Sequence, residues 1–209
     1  YESIKPGLRD RVKEMTKTRE IRMRQLIERV NEVIPDRFQG MIEFENVKRA
    51  AEGVLARPHL AREMVRLGIV SSTGQAFERY LVKYNVEREN LDAQTAITLV
   101  RESGGVPVLA HPGERSYSLI CPEKGRQPEN APVLLEELKV MGLLGLECHY
   151  PYHERMGTVD YFIGLATSFD LIVTGSRDFH GFNSHQKVNI FGTTKMEPVF
   201  LEQFQEVWN

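Results

Sequence analysis

The sequence predicts an α/β protein in which a parallel sheet or barrel, covered by helices, follows an all-helical lobe. Three observations predict it. From residue 91 onward, helix-type and strand-type segments alternate in units of about 30 residues. The strand-type segments are continuous apolar runs, the pattern of strands buried on both faces. Residues 1–90, by contrast, carry only helical periodicity, so the chain is expected to divide into a long helix with a helical lobe, 1–90, and an α/β region, 91–209.

The first element is a helix over residues 6–34. Leu8, Val12, Met15, Met23, Leu26, Val30 and Val33 hold 3-4 spacing, and Pro35 stops it. Its other faces are basic and read as solvated, with pairs four apart such as Glu20 to Arg24. Arg19 is the exception. It lies on the apolar stripe, where a guanidinium needs a carboxylate or a bound phosphate to offset lost water. Asn46–Ala51 is a short helix ending at Gly53. "PHLAREMVRLG" follows, with Pro58 in its first turn and Gly68 at its stop, and then "TGQAFERYL". Arg57 and His59 flank Pro58 at a helix N-terminus, whose outward N–H groups favour anions; the pair either cradles an anion or serves local pairing and capping.

The second region begins where Asp92 caps "AQTAITLVRES", which ends at Gly104-Gly105. "VPVLA" is a short buried strand that delivers His111-Pro112-Gly113 into a loop. "APVLLEELKVMG" is helical, and "LLGLECHY" is a strand running into Tyr150-Pro151. "TVDYFIGLATSF" is a helix, "DLIVTG" a strand, "VNIFG" a further strand and "PVFLEQFQEVW" a terminal helix.

In parallel α/β folds chemistry gathers at the carboxyl ends of strands. Here His111 follows the first strand, Glu147 and His149 end the second, and Asp178 and His180 follow the third. Four of the six histidines lie just past a strand end. Imidazole and carboxylate together suit zinc, manganese or iron and leave positions open for water and a phosphate oxygen. In Asp178-Phe179-His180 the intervening residue lets both side chains point to one side of an extended segment.

Composition bounds the partners. Lys plus Arg is 27 against 29 Asp plus Glu, a net charge of -2, so no global field favours double-stranded DNA or a membrane. The two cysteines form no CxxC pair, which fits reduced thiols and a cytoplasmic location. No run of 18 apolar residues and no signal peptide is present.

"GGVPVLAHPG" at 104–113, "GLECHYPYH" at 145–153 and "TGSRDFHG" at 174–181, in this order, resemble the later motifs of the PHP (polymerase and histidinol phosphatase) family. "ARPHLAREMVRLG" at 56–68 narrows the resemblance to the TrpH-like branch of nucleotide phosphatases and 5'-to-3' exoribonucleases acting on short RNA. The resemblance implies a distorted (β/α)7 barrel with an inserted helical cap, and two or three divalent metal ions (manganese, iron or zinc) in the intact protein. It implies that His111, Asp178 and His180 are catalytic metal ligands. Arg57 and His59 would face the substrate phosphate from the cap, with His153 a further candidate for that task. The implied activity is metal-dependent hydrolysis of a phosphomonoester or phosphodiester in a nucleotide or short RNA.

The chain also departs from the family. The HxH motif, the TDHD-like motif and the metal-bridging glutamate of the first barrel strands are not found, so the chain is expected to be the C-terminal part of a longer protein, holding fewer metal ions or none by itself. Arg177 stands where the family usually has a small serine. It is expected to pair with Asp178, compete with metal for that carboxylate, or reach a substrate phosphate. Two other readings stay open: a catalytically incomplete PHP-like module binding nucleic acid or a protein partner, and a plain α/β domain with structural histidines.

Overall fold

The computed structural model describes residues 6–51, 53–87, 90–114, 118–121, 124–178 and 192–208, which form two compact units, one built from residues 6–90 and one from 91–209. His180 and the strand expected at "VNIFG" fall outside the described residues, Gly192 of the latter excepted.

In the helical unit, α1 spans Pro6–Val33, with Pro at its first turn and Pro35 just past its end. A 3-10 turn at Asp36–Phe38 leads to α2 (Phe44–Arg49), α3 (Arg57–Arg66) and α4 (Thr73–Ala76), which runs on into a π-helical turn at Phe77–Leu81. Leu26, Val30 and Ile34 of the α1 segment meet Val47, Leu60, Met64 and Leu81 in one core. The packed part of the α1 stripe begins at Met23; Val12, expected on the same stripe, is 53% exposed. Arg19 is only half-buried, so its guanidinium keeps contact with water. The expected Glu20–Arg24 pairing is replaced by pairs to α2: Lys48 meets Glu20 at 2.8 Å, and Arg24 meets Glu45 at 3.1 Å while lying 3.5 Å from the Phe44 ring centroid. Helix-to-helix partners take these charges because α2 packs on α1.

In the second unit, α5 (Ala93–Glu102) is capped by Asp92, whose Oδ1 accepts from the Thr95 amide at 2.8 Å. Then come β1 (Val108–Leu109), α6 (Ala131–Val140), β2 (Gly145–His149), α7 (Pro151–Met156), α8 (Val159–Ser168), β3 (Ile172–Gly175) and α9 (Pro198–Trp208). The strands form a parallel sheet in the order β1-β2-β3. Leu109, Leu146 and Val173 are in register and join Leu135 of α6 and Phe162, Leu165 and Ala166 of α8 in a second core. Glu147 pairs across to Thr174 on the opposite face. The described residues thus make a mixed, helix-rich α/β structure with a small parallel sheet; the barrel expected from the motifs is not among them.

Candidate functional site

The carboxyl ends of β1, β2 and β3 lie side by side because the strands are parallel and adjacent. His111 is two residues past β1, Glu147 and His149 are at the end of β2, and Asp178 is three residues past β3. Among the described residues, His111 (φ 33°), Asp170 (φ 52°) and Asp178 (φ 50°) are the non-glycine residues with positive φ. Two of the three are residues the sequence marks as ligands. Such conformations cost free energy and gather where surrounding contacts over-determine them.

Those contacts are visible at His111. Glu147 is 7% exposed, and its Oε2 accepts the His111 amide at 2.6 Å. Two residues on, the Gly113 amide donates to His153 Nε2 at 3.0 Å. The Tyr150 hydroxyl then donates to Glu114. The turn after β1 is therefore fastened to the β2–α7 segment at His111, Gly113 and Glu114. Gly113 permits the close approach: a Cβ there would stand 2.8 Å from both His153 Nε2 and the Phe162 ring.

His153 is fully buried, and its Nδ1 lies 2.9 Å from the Cys148 carbonyl. Because Nε2 accepts from Gly113, Nδ1 carries the proton and donates to Cys148, so the ring is neutral with both nitrogens engaged. Burial lowers its pKa below the ordinary histidine value, against smaller opposing contributions from the Cys148 bond and the nearby Glu147 and Glu114. The sequence offered His153 as a phosphate-facing residue; its ring stacks on Phe162 with centroids 4.2 Å apart, in the packed interior.

Arg177 differs from expectation in its partner. Its Nη1 meets Glu154 of α7 at 2.5 Å and its Nη2 donates to the Thr193 carbonyl at 3.2 Å, so the guanidinium points to α7 and not to the neighbouring Asp178. Asp178 has a positive φ, and its amide donates to Ser176 Oγ at 3.1 Å. The same strand end is close-packed: a Cβ on Gly175 would lie 2.6 Å from the His149 Cβ. Among the described residues, buried His149 Nε2 has no hydrogen-bond partner, and its ring is tilted against Phe200 of α9.

The donors present, imidazole and carboxylate, suit a divalent cation. Among the described residues they do not gather into a set of three or more able to hold one.

In the helical unit, His59 Nδ1 lies 3.0 Å from the Ala56 nitrogen and 3.1 Å from its carbonyl, closing the first turn of α3. Burial lowers the His59 pKa. Arg57, at the first position of α3, donates to Asn85 Oδ1 at 3.3 Å and lies 5.7 Å from the Phe77 ring centroid. Glu147 as the anchor of His111, Tyr150 and Glu114 as a pair, and Asn85 as the partner of Arg57 were not assigned these roles from sequence. For the first of these a signal existed, since a carboxylate ending a buried strand must find a donor.

No family model matches the chain. It is 40% identical over 72 residues to a 5'-3' exoribonuclease of Haemophilus influenzae, covering 33% of this chain and 26% of that protein. It is 31% identical over 117 residues to the 5'-3' exoribonuclease Rnm of Salmonella typhimurium, covering 54% and 38%. A third relative is the phosphoribosyl 1,2-cyclic phosphate 1,2-diphosphodiesterase of Eggerthella lenta, 36% identical over 92 residues, covering 44% and 29%. The matched segments thus span 26% to 38% of these relatives' own lengths. Among solved structures, one assigned as a metal-dependent phosphoesterase from Bifidobacterium adolescentis aligns with a TM-score of 0.66 at 23% identity, covering 93% of this chain and 64% of that one. An amidohydrolase from Chromobacterium violaceum, solved with bound sulfate and no metal, aligns with a TM-score of 0.67 at 21% identity, covering 98% and 69%. At these identities the two structures establish a shared fold. The relatives and neighbours carry hydrolase names throughout.

Proposed function

We propose that this chain is part of a PHP-type, metal-dependent phosphoesterase that hydrolyses a phosphomonoester or phosphodiester of a nucleotide or short RNA. The observation that carries the reading is the placement of His111 and Asp178, both held in left-handed backbone conformations, past the carboxyl ends of strands in one parallel sheet. Exoribonuclease and phosphodiesterase names among the relatives support the substrate class. The barrel with an inserted helical cap belongs to the same proposal, as do divalent metal ions held by His111, Asp178 and His180. When bound, such ions act as Lewis acids toward a phosphate oxygen and bring the pKa of a bound water toward neutrality.

The residues around the strand ends and at the start of α3 have their own tasks in this reading. Glu147 fixes the backbone of His111, so that its imidazole is presented in one orientation. His153 and Arg177 serve as scaffold through Gly113 and Glu154, while Arg57 and His59 supply positive and donor character toward a phosphate. In the full-length protein, His111→Ala and Asp178→Asn are expected to lower manganese-dependent hydrolysis of AMP or a short RNA by at least about a hundredfold. Activity persisting within a few-fold sinks the assignment.

A second reading, a catalytically incomplete module that binds nucleic acid or a protein, is favoured by Arg177 standing where the family usually has a small serine. The same assay on the unaltered full-length protein separates the two.

A further inference from the structure

We infer that Tyr150 is the positioning residue for the imidazole of His111, and that Glu114, at the other end of the His111 turn, holds Tyr150 in place. This rests on the reading of His111 as a functional side chain of the strand-end site, and it concerns what sets the orientation of that ring. Glu147 fixes the backbone of residue 111, and so the point from which the side chain starts, but the side-chain torsions still have staggered alternatives. Among the described residues the imidazole takes part in no hydrogen bond or ion pair: the bonds of His111 are made by its amide and its carbonyl. The ring contact that it makes is with Tyr150, at 5.5 Å between centroids and 44° between planes. A metal-ligating histidine is ordinarily oriented by a hydrogen bond from its other ring nitrogen. Here the tyrosine ring takes over that task.

Tyr150 is itself held firmly. It caps α7 at φ -140° and ψ 142°, the extended conformation that the following Pro151 favours. It is buried, and its ring meets the ring of His153 edge-on, with centroids 5.4 Å apart. Its hydroxyl donates to the Glu114 carboxylate. Glu114 is placed by the turn that carries His111: its amide donates to the His111 carbonyl at 3.1 Å, and the Ser118 hydroxyl lies 2.6 Å from the Glu114 carbonyl and 3.3 Å from that of His111. The turn at residues 111–114 thus meets one tyrosine at both ends, with a ring at its first residue and a carboxylate at its last. A tyrosine needed only to fill the core could satisfy its hydroxyl with any nearby carbonyl. A charge-assisted bond to a carboxylate on the His111 turn is stronger, and it ties the ring to the segment whose side chain that ring touches.

The test uses the full-length protein in excess EDTA, so that neither metal nor turnover enters, with each variant checked by its melting curve. Vicinal couplings from the backbone nitrogen and carbonyl carbon of His111 to its Cγ, read by nuclear magnetic resonance, report whether one side-chain rotamer is populated. The unaltered protein should show the couplings of a single rotamer. Tyr150→Leu, Tyr150→Phe and Glu114→Ala should each move them toward the rotamer average, Tyr150→Leu furthest. Glu114→Gln keeps an acceptor for the hydroxyl and should restore the unaltered values. If Tyr150→Leu melts too low to be studied, Tyr150→Phe and Glu114→Ala decide, and their double variant should average no further than either alone. Averaged couplings in the unaltered protein overturn the inference. Unchanged couplings in the variants also overturn it, whatever the melting temperature does, because Tyr150 is then a packing residue only. Manganese affinity, measured against a competing chelator, should fall by about tenfold or more in Tyr150→Leu and in the same direction in Glu114→Ala. An unchanged affinity in those two variants, where His111→Ala loses it, overturns the inference as well. An unchanged affinity in His111→Ala counts against the metal-dependent reading alone and leaves the couplings to decide the role of Tyr150.

Discussion

Glu147 Oε2 receives the His111 amide at 2.6 Å, joining the end of β2 to the turn after β1 and holding His111 at φ 33°. Glu147→Gln keeps an acceptor of the same shape and is expected to leave the turn in place. Glu147→Ala leaves the amide without this partner at a cost of about 1–3 kcal/mol, read from urea denaturation. Hydrogen exchange at the His111 amide should speed up in the alanine variant alone. Equal exchange in both variants would mean that the carboxylate does not hold the turn.

His153 links stability to pH. Its folded pKa is lowered, chiefly by burial, so the unfolded chain binds the proton more readily. The contribution is therefore present above the ordinary histidine value of about 6.5 and is lost as pH falls through the folded value. Urea midpoints at pH 7.5 and pH 5 should show this loss in the unaltered protein and less of it in His153→Gln. His153→Ala should cost about 3–5 kcal/mol at neutral pH, because it empties a buried ring site and strands the Gly113 amide. An unchanged difference between the two pH values in His153→Gln would refute the linkage.

Much of this arrangement is legible in the sequence, and the failures have physical causes. The Pro35 stop, the Asp92 cap and the strand at "LLGLECHY" are local signals, and the structure has them at α1, α5 and β2. The short helix α7 escaped because six residues are too few to show a period; only Pro151 at its start and Gly157, φ 66°, past its end mark it. Only Val108 and Leu109 of "VPVLA" pair, because among the described residues β1 has β2 as its one neighbour. Arg177 sits next to Asp178 in sequence but bonds Glu154, 23 positions back, a choice made by tertiary geometry. Arg22 and Arg57 are equally non-local, sharing the Asn85 side-chain oxygen from 63 and 28 residues away.

The Arg177–Glu154 pair gives a small, measurable coupling. Its side chains are 18% and 41% exposed, so solvent screens it, and a double-mutant cycle on Arg177→Ser and Glu154→Gln should return at most about 1 kcal/mol, decreasing with salt. The corresponding cycle on Arg177 and Asp178 should return less. A larger coupling to Asp178 would restore the idea that this arginine competes for the carboxylate.

Cys148 reports on whether the β2 end opens. Its side chain is fully buried, and burial, aided by the Glu147 charge, pushes its pKa up to about 12. Thiolate is the reactive form, so at pH 8 native Cys148 should resist iodoacetamide while the half-buried Cys121 reacts. Peptide mass spectrometry distinguishes the two sites. If Glu147, His111, His153 and Gly113 form one fastening, then Glu147→Ala and His153→Ala should each raise the Cys148 rate well before the protein unfolds globally, because local opening is set by these bonds. Cys148 reacting as fast as Cys121 in the native protein would contradict its burial. An unchanged Cys148 rate in both variants would show that the turn after β1 and the β2 strand open independently, and the fastening would lose its role in presenting His111.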